Sequence, residues 1–296
     1  MTISQRLLDA PLVRRNDSLR SFIVATWLGW QIESNWADPF LFAVYSIVRP
    51  LASSLILVVM YAVITNSAFQ EPMFPYIFLG NALYILVGMV ITGVSWAIID
   101  DREHYRVAKN LYTAPINGYT YLFGRGVARL IIGTISVLIT ITFGKLVFHL
   151  PIYLGSINWP LLLISTVLGV TALAGLGLIM GSWTMSMARH FWSVGEAVAG
   201  AMYLFSGAIF PLDILPTWLR WIGFLLPVTY WLEAARRALL GAEAAGFKTL
   251  AFLSNEALVA ILAGFTVVLL ISSFYFYRWA LHMAKEKGMI DLESGY

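Results

Sequence analysis

ALVAILAGFTVVLLISSFYFY, residues Ala257 to Tyr277, holds twelve Leu, Ile, Val and Phe residues and no charge. At roughly −0.3 to −0.6 kcal/mol for each of them, such a segment inserts into a bilayer by several kcal/mol. About 20 mostly apolar residues suffice to cross the hydrocarbon as a helix. Five more stretches qualify on the same ground: Phe40 to Thr65, Pro75 to Ile99, Tyr119 to Phe148, Trp159 to Met187 and Phe191 to Phe210. The last of these has only seven Leu, Ile, Val and Phe residues and carries Glu196, a penalty of up to roughly 3 kcal/mol at mid-membrane depth, so it needs neighbours to stay inserted.

Composition agrees with lipid as the solvent. Of 296 residues, 59% are hydrophobic and 12% are charged, about half the charged share of a soluble protein, too few to cover a soluble surface. The net charge of +3 comes from 19 basic residues dispersed along an apolar chain, which form no patch for nucleic acid. With no cysteine, disulfide, thiolate-metal and thiol chemistry are excluded. Residues 1 to 20 carry Arg6, Asp9, Arg14, Arg15, Asp17 and Arg20 with no apolar core behind them, so no cleavable signal is expected.

From Asp17 to Ala37, Leu19, Phe22, Ile23, Trp27 and Trp30 recur at helical spacing after an Asp17 or Ser18 cap. This predicts an amphipathic helix along the membrane surface, ended by Asp38 and Pro39. The basic residues set the orientation. The loop after the first span holds only Glu71, whereas Arg102, Arg106 and Lys109 follow the second, Arg189 the fourth, and Arg278, Lys285 and Lys287 the sixth. Both termini are then cytoplasmic. Arg220, Arg236, Arg237 and Lys248, on the long segment before the last span, are the exception. Pro211, Pro216 and Pro227 break residues 211–231 into pieces too short to cross, which suggests a re-entrant helix pair with Trp218, Trp221, Tyr230 and Trp231 at the outer headgroups.

The stretch SGAIFPLDILPTWLRWIGFLLPVTYWLEAARRALLG, Ser206 to Gly241, resembles the C-terminal signature of the type-two ABC exporter permeases. It has the Ser-Gly before Pro211, the Leu-Pro-x-Trp-Leu at Leu215, the Pro-x-Thr-Tyr at Pro227 and an arginine before a leucine-rich turn. Asp101 to Arg125 is similar to the cytoplasmic coupling segment of that family, although Arg106-Val107-Ala108-Lys109 stands where many members have a Gly-Thr-Leu-Glu-like core. The resemblance implies an all-α membrane protein of six transmembrane helices preceded by an amphipathic interfacial helix, with a short re-entrant segment before the last span. It divides the chain into residues 1–39, a transmembrane domain over 40–284 with coupling segment 100–116 and re-entrant segment 211–231, and a cytoplasmic tail over 285–296.

It further implies a permease that pairs, as a homodimer, and receives two separate ATPase subunits at the cytoplasmic face of the plasma membrane. ATP and Mg would sit on those subunits, and this chain would bind no cofactor. The residues agree, because the chain has no Gly-rich loop ending in Gly-Lys-Ser/Thr. The expected cargo is an amphipathic drug, lipid or lipid-linked compound, with a polysaccharide or glycolipid as the alternative. A membrane-embedded transferase is the rival class, since Asp100-Asp101 resembles the start of a magnesium-binding motif, but His104 occupies the place of the later acid.

Asp100, Asp101, Arg102, Glu103, Arg106 and Lys109 form the mixed-charge segment expected to dock into the ATPase. Arg125 and Arg129, four apart on one face, are expected to snorkel to headgroups, with pairing to the coupling acids as the alternative. Arg49 beside Pro50, and Glu196, are intramembrane charges; with Tyr45, Trp96 and Tyr203 they are the candidates for a substrate path, Glu196 being expected to pair with a cation such as Arg189. Gly177 and Gly181 form a Gly-x-x-x-Gly pair that suits close helix packing.

Overall fold

The computed structural model describes residues 16–35, 39–66, 69, 71–114, 116–185, 194–241 and 250–288. Among these residues the chain is helical, with no strand. The α-helices are α1 (Asp17–Asn35), α2 (Pro39–Thr65), α3 (Met73–Ile99), α4 (Ala108–Thr113), α5 (Gly118–Phe148), α6 (Trp159–Met185), α7 (Val194–Phe205), α8 (Thr217–Phe224), α9 (Pro227–Leu240) and α10 (Asn255–Glu286). Five helices, α2, α3, α5, α6 and α10, are long and apolar enough to cross a membrane. The 12 residues of α7 rise only about 18 Å, short of the hydrocarbon thickness, and the preceding residues of that expected span lie outside the described set. Also outside it are Arg6, Arg14, Arg15, Arg189, Lys248, residues 289–296 and the side chain of Tyr45.

Polar residues set the helix starts. Asn16 Oδ1 accepts from the amides of Ser18 and Leu19, so the cap of α1 is Asn16 and not the expected Asp17 or Ser18. Asn117 accepts from the amide of Thr120 at the start of α5, and Ser254 from that of Ala257 at the start of α10.

α3 is the central helix, buried on almost every side against α5 and α6. The close approach of α6 depends on its glycines. A Cβ at Gly177 would lie 3.0 Å from the Ile91 carbonyl oxygen, and one at Gly181 would lie 2.8 Å from Ile98 Cδ1. Ser95 of α3 donates across this contact to the Gly177 carbonyl at 3.2 Å. Further along α6, Gly169 receives the Trp231 ring of α9. The expected tryptophan belt is therefore split. Trp218 and Trp221 on α8 are 70% and 69% exposed, whereas Trp231 is 0% exposed in the core and Tyr230 is buried with its hydroxyl on the Phe224 carbonyl.

α1 follows the first turns of α5 in the same direction, from the Asn117–Ser18 hydrogen bond to the Arg129–Glu33 ion pair. Its buried stripe is Ser21, Ala25 and Gly29, and a Cβ at Gly29 would lie 2.8 Å from Ala128 Cβ. Leu19, Val24, Trp27 and Leu28 face outward. The protein-facing side is thus the one with small side chains, and the bulky ones are exposed.

Two backbone breaks find donors inside the protein. Pro50 in α2 cannot supply an amide to the Ser46 carbonyl, and the Ser136 hydroxyl of α5 donates to that oxygen at 3.4 Å. Between α7 and α8 the chain turns at Gly207, with φ +78°, and the freed carbonyls of Gly207 and Ala208 accept from Arg236 Nη2 at 2.8 and 3.2 Å. Arg236, 1% exposed, also donates Nε to the Tyr76 carbonyl and stacks its guanidinium 3.7 Å from the Tyr76 ring centre. Arg237 pairs with Glu233 at 2.9 Å and donates to the Leu250 and Leu253 carbonyls, and Arg220 donates to those of Asp213 and Leu215. These cations fasten the broken segment together.

A Cβ at Gly80 would collide with Arg236 Nη2 and the Ala208 carbonyl. Gly80→Ala is expected to displace the guanidinium and lower stability by about 3 kcal/mol, whereas Gly264→Ala, with nothing within 4 Å, leaves it unchanged or slightly raised. Thermal melting of both variants in detergent checks this, and equal melting temperatures would refute the role given to Arg236.

Candidate functional site

The elbow between α3 and α5 begins where the α-helical ladder widens. Asp100–His104 forms a π-helical turn closed by the Tyr105 amide on the Asp100 carbonyl at 2.8 Å. Such turns insert an extra residue and occur often at functional sites. The backbone then passes Arg106, a non-glycine residue at φ +53°, a left-handed conformation that costs roughly 1 kcal/mol. The short helix α4 follows. The expected coupling segment is thus two pieces joined by a strained knuckle, not one helix.

Buried charge anchors the elbow. Asp101 accepts from Arg125 Nη1 at 3.0 Å, and Arg125 also donates to the Tyr121 hydroxyl at 3.2 Å, with Asp100 at 4.0 Å on its other nitrogen. Arg102 pairs with Glu103 at 2.9 Å and reaches the Thr184 carbonyl at the end of α6. Arg129 pairs with Glu33 of α1 at 2.5 Å. Arg125 and Arg129 therefore do not snorkel: their guanidiniums hold the elbow and α1. α5 has 31 residues, about 46 Å of helix, which exceeds the hydrocarbon by roughly 16 Å, and Arg125 lies about 10 Å from its start.

Of the six expected docking residues, Asp101 and Arg102 are buried, Asp100 and Glu103 are half-buried, and Arg106 and Lys109 are exposed beside His104, Tyr105 and Asn110. Desolvation of its inner side, with the Asp100 carboxylate nearby, raises the Tyr105 phenol above its ordinary value. Beneath the knuckle lies a cavity of about 20 Å³ between Ile98, Ala108, Leu111, Tyr121, Leu122 and Met185, an apolar bed on which α4 rests.

The substrate-path candidates do not converge. Arg49 on α2 and Glu196 on α7 are exposed, and Trp96 is half-buried on α3. The Tyr203 hydroxyl donates to Asn81 Oδ1, whose amide donates to Ser54 at 3.1 Å, and Tyr84 donates to the Ala199 carbonyl. This polar relay joins α2, α3 and α7. The sequence reading missed Ser54, Asn81 and Tyr84, although an asparagine inside an apolar span was a usable signal. Asp100 and Asp101, the start of the alternative magnesium motif, face Arg125 instead.

The model of the ABC-2 type transporter family matches residues 21–240, well over half of the chain. The chain belongs to this family. A search of the curated proteins gave no match. As an ABC-2 type transporter it is the multi-pass membrane component of an ABC transporter, with ATP hydrolysis on a separate subunit. The matched region includes the elbow, both buried arginine sites and α9.

In this ABC-2 type transporter the Asp101–Arg125 pair is expected to behave as a unit. Removing one partner strands a buried charge, so Asp101→Asn and Arg125→Met should each cost about 3 kcal/mol, while the double variant recovers most of that loss. Additive losses in a double-mutant cycle of thermal melts would show that the two residues act independently.

Proposed function

We propose that the chain is one half of a dimeric exporter whose partner ATPases grip the Tyr105–Asn110 knuckle. The observation that carries this reading is the contrast at the elbow. An exposed, basic knuckle sits directly on a buried ion pair that fastens the end of α3 to the start of α5. A push on the knuckle is then delivered to two membrane-crossing helices, which tilt as rigid bodies. Arg106 and Lys109 make the contact, Glu103 supports it through Arg102, and Asp100 and Asp101 are braces.

In this reading α7, with the residues before it, completes six spans, and Pro211 to Trp231 dips in from the outer surface and turns back. The outward tryptophans of α8 support that placement. The elbow lies on the cytoplasmic side. Supporting this, Leu111 of α4 shares a groove with Lys285 of α10, so two cationic segments lie at the same end of the molecule. Residues 1–39 and 285–296 are the cytoplasmic ends of the domain, at the plasma membrane.

The second copy covers two open faces. α2 presents Val48, Ile56, Val59 and Val63 outward, and α7 presents Glu196, Ala197, Gly200 and Ala201. Cargo passes between the paired copies, an amphipathic drug, lipid or lipid-linked compound moving outward, with Tyr203, Tyr84 and Asn81 tying the helices that border the path. ATP and Mg are held by the ATPase subunits.

Charge reversal at the knuckle tests this. Arg106→Glu with Lys109→Glu should leave insertion intact but cut transport and substrate-stimulated ATPase activity at least tenfold in the reconstituted complex. Unaltered stimulation in that variant would remove the knuckle from the docking surface.

A further inference from the structure

A second groove, of about 270 Å³, opens between the start of α5 and the last turns of α10. Its walls are mixed, with Asn117 and Tyr119 on one side and Phe274, Tyr277 and Leu281 on the other. Arg278 and Lys285 form its rim, seven residues apart and so on one side of α10. Both are exposed, and among the described residues neither is paired with a carboxylate; the recorded pair nearby is His282 with Glu286. The Arg278 guanidinium lies 5.6 Å from the Phe274 ring centre, which fixes it at the mouth of the groove.

Depth adds a constraint. Arg278 directly follows the apolar run that ends at Tyr277, so it stands where hydrocarbon gives way to headgroups. Lys285 lies two turns further out, about 10 Å along the helix. Two cations at headgroup depth above an aromatic and aliphatic trough match one kind of molecule, which carries its anion and its chain on the same skeleton.

From this geometry we infer that the groove is a binding site for an anionic phospholipid. The phosphate lies between Arg278 and Lys285, and the upper acyl chain lies against Phe274, Tyr277 and Leu281. Because Leu111, Ile116 and Tyr119 form the opposite wall, the lipid bridges α10 to the elbow. A free phosphate satisfies the rim and leaves the trough unused, which is why the lipid is the occupant.

The probe is phosphatidylglycerol offered with an equal amount of phosphatidylcholine to the full-length chain in detergent, with retained lipid counted by native mass spectrometry. The wild-type chain should keep phosphatidylglycerol in preference. Arg278→Gln with Lys285→Met should reduce that preference by roughly 25-fold, about fivefold per cation. Arg278→Lys with Lys285→Arg should preserve it, as should Lys145→Ala at the far end of α5. Millimolar inorganic phosphate should not displace the lipid. Equal retention of the two lipids by the wild-type chain, undiminished preference in the neutralised variant, or displacement by phosphate would each overturn the assignment. If the double variant does not fold, the single substitutions Arg278→Gln and Lys285→Met carry the same test, each with a partial loss expected.

Discussion

A carbonyl freed inside an apolar medium has no water to turn to, and this requirement organises the molecule more than any other. Pro50 removes one hydrogen bond from the ladder of α2, and the chain breaks its helices between α7 and α9; both leave backbone oxygens without their usual donor. Ser136 supplies the donor at the first, and Arg236 supplies several at the second. The guanidinium suits that task because its five N–H groups fan out in a plane and can serve carbonyls from different segments together. Its cost of burial is offset by three carbonyls and an aromatic face, and the glycine at position 80 is what leaves it room.

The elbow uses the same economy of buried polar groups for a different end. A loop bearing charges on all sides would flex under load and dissipate a push. Here Asp101 is neutralised by Arg125 of the next helix and Arg102 by the adjacent Glu103, while Arg106 and Lys109 are exposed, so that the segment is braced on its inner side. The π-helical turn makes this division, because an extra residue in the turn brings both Asp101 and Arg102 to the inner side. The strained Arg106 then separates this turn from α4.

Much of the fold was legible in local sequence. Hydropathy located α2, α3, α5, α6 and α10 because insertion depends on residues that are neighbours in the chain. The side of α1 that meets protein was not legible in that way: with lipid as solvent, the bulky residues face outward and the small Ser21, Ala25 and Gly29 mark the contact. Arg236 read as a topological oddity because its partners, Tyr76 and Gly207, lie 160 and 29 positions away. At the elbow, the charges were visible as a set, but their division into buried and exposed members was not. That division depends on Arg125, 24 positions from Asp101 and on another helix.

The partnership of α1 with α5 bears on the order in which the chain is made. Ser18 meets Asn117, 99 positions later, so the N-terminal helix leaves the ribosome well before its seat exists. At about 5–20 residues per second, that interval lasts some 5–20 seconds. Through it, Leu19, Val24, Trp27 and Leu28 form the face that stays exposed in the finished fold, while the narrow opposite face stays vacant for a helix still to be synthesised. A side built of small residues is thereby reserved for the later arrival, since bulkier side chains there would have no room once α5 is in place.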